Sequence, residues 1–203
     1  MERGGSILYM TGEGGESAFN TNFNYFLEEY GMSVNPDAVA RTVYFKYFHP
    51  KEVYVTHGVL NRELNKAAGK KIHLNGDVSL SEYSGFNPRF VTHHTSYLLF
   101  SSLTFLYPFG ASLNVQKPAI PLLSSGTVSY PLNRPLAGVC QPNSKSGKVM
   151  ALGSAQIFSD TYLEKEENGK LFDVIMQYLT SDKIVLNSID ANEPDVCQVS
   201  SRY

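Results

Sequence analysis

Two short apolar runs that break into glycine constrain this chain more than anything else in it. Ser6-Ile-Leu-Tyr-Met-Thr-Gly12-Glu-Gly-Gly-Glu-Ser17 lies near the start, and Lys148-Val-Met-Ala-Leu-Gly153-Ser-Ala-Gln-Ile-Phe-Ser-Asp160 near the end. A strand covered on both faces has no polar side to alternate with, so buried parallel strands of α/β domains read as such runs before a turn and a helix-like pattern. The expected class is therefore α/β, with both runs as core strands. Ile7 to Met10 has the uninterrupted apolarity of a central strand with neighbours on both sides.

The composition supports one domain. In 203 residues, 42% are hydrophobic and 18% charged, enough to build a sizeable core and too apolar for a disordered tail. A net charge of -2, with no Lys/Arg cluster interleaved with aromatics, provides no field for nucleic acid. No apolar run approaches the roughly 20 residues of a membrane helix, and the stretch from Ile7 to Met10 is too short for a signal-peptide core. The chain reads as cytosolic, without membrane insertion. Cys140 and Cys197 stand in no CxxC pair and read as ordinary thiols.

Periodicity maps the rest. A strand over 6–11 leads to a helix over about 20–30, where Asn20 or Thr21 caps and Phe23, Phe26, Leu27 and Tyr30 share a face up to the stop at Gly31. Val39 to Phe45 is β-rich, Val53 to Val55 is a short strand, and Val59 to Ala68 is a helix with Leu60 and Leu64 on one face, ended by Gly69. From Lys70 to Ser102 there is little periodicity, which reads as a long loop insertion. Short β-like runs follow at 103–107, 111–115, 119–123, 127–131 and 136–141, spaced as an antiparallel patch. After the strand at 148–153, a final helix turns Phe172, Ile175, Met176 and Leu179 inward, entered through Asn168-Gly169 or the acidic run before it.

No catalytic constellation emerges. The Gly12-Glu-Gly-Gly15 turn lacks the Gly-Lys-Ser/Thr ending of a phosphate loop, and Glu13 and Glu16 repel an anion, so a tight structural turn is favoured. In amidotransferase-like and hydrolase folds the corresponding turn presents Cys or Ser between glycines. Here Glu13 occupies that place, Ser17 lies beyond the turn, and Ser154 follows a single glycine. His49, His57, His73, His93 and His94 show no metal-ligand spacing, and adjacent histidines on a strand face opposite ways. Glu164, Glu166 and Glu167 with Asp160 and Asp173 have a structural reason in the helix dipole, and read as a solvated face. The aromatic stripe of the 20–30 helix reads as core. Catalytic, cofactor-binding and metal residues are all expected to be none.

Several blocks carry a likeness. Gly12-Glu-Gly-Gly-Glu-Ser17, Asn22-Phe-Asn-Tyr-Phe-Leu-Glu-Glu-Tyr-Gly31 and Val34-Asn-x-Asp37-Ala-Val resemble the N-terminal GIFT domain of the intraflagellar transport protein 52 family. Lys46-Tyr-Phe-His-Pro-Lys-Glu52, Gly58-Val-Leu-Asn-Arg-Glu63, Tyr107-Pro-Phe-Gly-Ala111, Pro131-Leu-Asn-Arg-Pro135 and Phe158-Ser-Asp-x-Tyr-Leu-x-Lys-Glu-Glu-Asn168 continue it in order. Only the stretch from about 70 to 100 looks unlike the family.

The resemblance implies a Rossmann-like α/β fold, related to amidotransferase-like domains, with flanking helices and an added antiparallel β patch. It further implies a non-enzymatic structural subunit of intraflagellar transport complex B, needed to assemble and maintain cilia and flagella. Other complex B core subunits are its implied partners, and the cilium or flagellum, ciliary base and cytoplasm its implied location. The domain is expected over 1–193, partial because the family carries further strands and helices upstream, with 70–102 as an insertion and 194–203 as a C-terminal tail. A rival reading is a domain that binds or hydrolyses a small ligand, nucleotide or carbohydrate, at the carboxyl ends of the strands.

Overall fold

Val149, Met150, Ala151 and Leu152 are fully buried and form the centre of the molecule. The structure is a computed structural model that describes residues 4–42, 46–70, 72–74, 98–100, 102–142 and 147–194. In chain order its strands are β1 (Ile7–Met10), β2 (Met32–Val34), β3 (Ala40–Arg41), β4 (Glu52–Val55), β5 (Ile72–Leu74), β6 (Leu98–Phe100), β7 (Phe105–Pro108), β8 (Leu113–Val115), β9 (Ile120–Ser124), β10 (Ser129–Tyr130), β11 (Pro135–Cys140) and β12 (Val149–Leu152). The helices are α1 (Gly15–Phe19), α2 (Phe23–Glu28), α3 (Arg62–Ala67), α4 (Asp160–Leu163), α5 (Asn168–Thr180) and α6 (Ser188–Asn192).

The central sheet has the order β1-β12-β11-β9. β1 and β12 are parallel, with Ile7 opposite Val149 and Met10 opposite Leu152, whereas β11 runs antiparallel to both β12 and β9. The strand period of two sends Met150 and Leu152 to one face and Val149 and Ala151 to the other. Leu171, Val174, Ile175 and Tyr178 of α5 cover the first face. Leu27 of α2 and Met32, Val34 and Leu113 of the β2–β8 pair cover the second. Coverage on both faces is why the run reads as continuously apolar. The expected α/β class, helices flanking a sheet with antiparallel strands added, is what the chain forms.

β1, whose apolar run reads as that of a central strand, pairs on one side among the described residues, and Ile7 and Met10 are 36% and 39% exposed. Ile7 N–H donates to the Lys148 carbonyl at 2.8 Å and Thr11 N–H to the Leu152 carbonyl at 3.1 Å. The alternation of a parallel ladder then turns the backbone polar groups of Leu8 and Met10 away from β12. An apolar run reports burial of a strand's faces and is silent about its edges.

The five runs expected as one antiparallel patch are all strands, but they disperse. β9 and β11 join the central sheet, while β7 pairs with β4, β8 with β2 and β10 with β3. Matching of apolar side chains decides these pairings over proximity in sequence: Val53 and Val55 meet Tyr107 and Phe105, all buried.

The helix expected over 20–30 is the shorter α2, and Asn20, at φ +50°, ends the separate helix α1 where it was expected to cap a helix start. The stripe Phe23, Phe26 and Tyr30 nevertheless forms a continuous ring ladder, with Tyr9 of β1 stacked on Phe23 at 4.1 Å. α3 starts three residues later than expected. Leu60 N–H donates to the Leu122 carbonyl at 2.9 Å, holding 59–60 against β9, and the Asn61 side chain caps the helix by accepting from Glu63 N–H. Leu60 and Leu64 are both buried, and Gly69 follows the helix at φ +76°. On α5 the inward face is Leu171, Val174, Ile175, Tyr178 and Leu179, so Phe172 and Met176 flank the stripe rather than lead it. At the base of the expected insertion, Ile72 to Leu74 pair antiparallel with Leu98 to Phe100. The interior of that insertion with His93 and His94, the end of the β-rich run after Thr42, and the tail with Cys197 lie outside the described residues.

Candidate functional site

Open α/β sheets place ligands beyond the carboxyl ends of their parallel strands. Here that place is the Gly12–Gly15 turn after β1, beside Gly153 and Ser154 after β12. An anion cradle needs free amides. Three of the turn's amides are engaged: Glu13 N–H donates to the Phe109 carbonyl at 2.9 Å, Gly14 N–H to the Asp37 carbonyl at 2.8 Å, and Gly15 N–H to the Gly12 carbonyl at 3.1 Å. Gly15, at φ +54°, packs so closely that a Cβ would come within 2.7 Å of the Asn35 carbonyl oxygen. Glu13 forms an ion pair with Lys51 at 2.5 Å. The expected structural turn is what the geometry provides.

The space beside the turn is filled. Tyr107 is fully buried, and its hydroxyl donates to the Ala111 carbonyl at 2.7 Å. Burial pushes its phenol well above the ordinary range, so it stays a donor. A Cβ at Gly110 or Gly153 would overlap the Tyr107 side chain, which makes glycine necessary at both positions. Ser154 is buried with its hydroxyl donating to the Pro108 carbonyl, and Ser17 is exposed on α1. The described histidine side chains serve neither serine in any recorded bond. The His49 ring packs on Phe109 at 4.8 Å and accepts from Lys51 N–H, while His57 bonds the Thr56 hydroxyl at 2.9 Å. Among the described residues no group of three His, Cys, Asp or Glu side chains gathers as a metal site.

Of the acidic residues expected as a solvated face, Asp160, Glu164 and Asp173 are exposed, whereas Glu166 and Glu167 are anchors. Glu166 accepts from the Tyr47 hydroxyl at 2.5 Å and pairs with Lys46, while the Tyr162 hydroxyl donates to Glu52 at 2.7 Å. Burial first, then the bond to Glu52, pushes the Tyr162 phenol up to about 12. Glu167 binds Lys70 at 2.6 Å, Lys170 at 2.9 Å and the Thr104 N–H at 3.0 Å. Burial alone would raise its carboxyl, but these partners outweigh burial and hold it at about 2. The Arg41 guanidinium donates to the carbonyls of Tyr47, Phe48 and His49, fixing the loop that Tyr47 ties to Glu166. Of the partners of Glu166 and Glu167, all but Lys170 lie 63 or more residues away in sequence, which explains why local pattern missed this.

At the opposite end of the sheet an open groove of about 450 Å³ is lined by Pro118, Ile120, Val139, Lys148, Tyr178 and Ile184, among others. Buried Lys148 lies in its wall. Its ammonium donates to the carbonyls of Tyr178 at 2.6 Å and Ser181 at 3.0 Å, pairs with Asp182 at 3.3 Å and sits over the Tyr178 ring. Lys148 thus closes the carboxyl end of α5, where a cation complements the helix dipole. Cys140 is a buried free thiol, and burial pushes it up and keeps it protonated. No helix among the described residues is long and apolar enough to cross a membrane.

A family model described as the IFT52 GIFT domain matches residues 1–192. The chain is 52% identical over 197 residues to the intraflagellar transport protein 52 homolog of Mus musculus, covering 97% of this chain and 43% of that protein. It is 50% identical over 196 residues to the Homo sapiens homolog, covering 97% and 41%. The chain thus spans less than half the length of these curated relatives. Among solved structures, the mmIFT52 N-terminal domain superposes with a TM-score of 0.71 at 47% identity, over 91% of this chain and 69% of that one. With a family match across nearly its whole length and curated relatives about half identical to it, this chain belongs to the IFT52 GIFT domain family.

Proposed function

We propose that this domain is a non-enzymatic structural part of intraflagellar transport complex B, needed to assemble and maintain cilia or flagella. The observation that carries this reading is the occupied strand end: Tyr107 lies against Gly153, and the amides of Glu13, Gly14 and Gly15 are bonded within the chain. Such an end leaves a small ligand little of the space and few of the donors that a binding pocket needs. The domain acts through its surfaces, its partners are other core subunits of complex B, and it works in the cilium or flagellum and at the ciliary base, with a pool in the cytoplasm. A Rossmann-like ancestry accounts for the glycine turns that persist at both strand ends. The sequence span offered is a GIFT domain over 1–193 with a tail from 194.

The test replaces Glu13 by Gln and Ser17 by Ala in the native gene. Cilia of normal number and length are expected. A thermal-shift screen with nucleotides, sugars and glutamine is expected to leave the melting temperature unchanged, because a ligand held only by the native state must raise it. Loss of cilia with an intact fold, or a saturable upward shift with any of these ligands, returns the ligand-site reading.

A further inference from the structure

We infer that residues 183–192 form a strap that opens from the core as a unit, held shut by a polar latch on the start of α3. The segment has no regular structure from Ile184 to Asn187 and ends in α6. Ile184 and Leu186 pack as two apolar pegs on the main core, whereas Val185 between them is 75% exposed. α6 buries no residue, and its Ile189 is 66% exposed. Two pegs are little apolar contact for ten residues when α5 alone buries Leu171, Val174, Ile175, Tyr178 and Leu179. Segments with few buried apolar contacts open at free energies well below global unfolding.

The latch supplies what the pegs do not. Asn61 is buried, and its side-chain amide makes the two bonds a neighbouring strand would make: Oδ1 accepts from Asn187 N–H at 3.2 Å and Nδ2 donates to the Asn187 carbonyl at 3.2 Å. Asn187 in turn caps α6 by accepting from the N–H groups of Ile189 and Asp190. One residue beyond Asn61 and three beyond Asn187, the Arg62 guanidinium grips Asp190 with two prongs, Nε to Oδ2 at 2.8 Å and Nη2 to Oδ1 at 2.6 Å, and Arg62 N–H donates to the same carboxylate at 3.0 Å. Both latch partners on the core side belong to α3 and its cap, and Asn61 still accepts from Glu63 N–H when Asn187 leaves. Opening therefore breaks the latch without unwinding α3.

The consequence lies in the groove at this end of the sheet. Ile184, Val185 and Leu186 form one of its walls, facing Pro118, Ile120 and Val139. Opening the strap removes that wall and turns a partly closed groove into an open apolar face. The latch sets how often that face is bare.

Hydrogen exchange on the full chain tests this. Strap amides at Asn187, Ile189 and Asp190 are expected to exchange at least a hundredfold faster than those of β12. Asp190→Ala is expected to speed strap exchange about tenfold, the effect of losing charge-assisted bonds, while β12 stays unchanged. The exchanged pair Arg62→Asp with Asp190→Arg recovers part of the loss. Strap and β12 amides exchanging at one common rate would overturn the inference, and so would latch variants that accelerate both together or neither. The wild-type comparison decides by itself where a variant fails to fold.

Discussion

Asn168 places its whole side-chain amide in the fully buried interior, and every polar atom of it is used. Oδ1 accepts from Leu106 N–H at 2.9 Å, and Nδ2 donates to the carbonyls of Leu106 at 3.1 Å and Tyr162 at 2.9 Å, with Ile157 at 3.3 Å. The amide thus joins the start of α5 to β7 and α4. Asn168→Ala leaves Leu106 N–H and three carbonyls short of a partner, a loss of about 2–4 kcal/mol measurable by urea unfolding. Asn168→Asp keeps the size but turns a carboxylate oxygen toward carbonyls, so it is expected to be no better; wild-type stability in either variant would refute this role. The Asn-Gly pair was readable as a helix start. That Asn168 faces inward was not, because its partners lie 6 to 62 residues away. Tyr107 escaped for the same reason: a tyrosine in an apolar run shows no sign of which glycines it will lie against.

The base of the insertion makes the corresponding point for an element. Asn65 accepts from Leu103 N–H at 2.9 Å and gives its carbonyl to Lys70 N–H at 3.0 Å, while Glu167 binds both Lys70 and Thr104. The two feet of the insertion are therefore joined below the β5–β6 stem. Replacing residues 75–97 by an Asn-Gly turn shortens a loop whose ends are already held, and closure entropy changes only slowly with loop length. The shortened chain is expected to melt cooperatively within about 1 kcal/mol of the parent. A loss of several kcal/mol in a denaturant titration would mean that the excised stretch packs on the core. Lack of periodicity is what marks the stretch as an expected insertion; the clamp beneath it depends on three segments meeting and left no local trace.

For the whole molecule, one edge of β1 is unpaired among the described residues, beside the partly exposed Ile7 and Met10. Exposed strand edges with apolar side chains are templates for pairing with other chains, and charged side chains blunt them. Met10→Lys is expected to lower self-association of the chain at high concentration, read by light scattering, with little change in melting temperature. Equal scattering from the two proteins would show that this edge is not the adhesive surface. Composition and local pattern determined the α/β class, the two glycine-punctuated strands and the glycine stops after α2 and α3, because each depends on residues adjacent in the chain or one turn apart. Tertiary structure alone decided the rest: which strands pair, that Tyr107 lies against Gly110 and Gly153 and that Glu166 and Glu167 anchor loops. These are contacts between segments far apart in sequence, chosen by competition among many apolar and polar partners, and one-dimensional pattern carries no record of that competition.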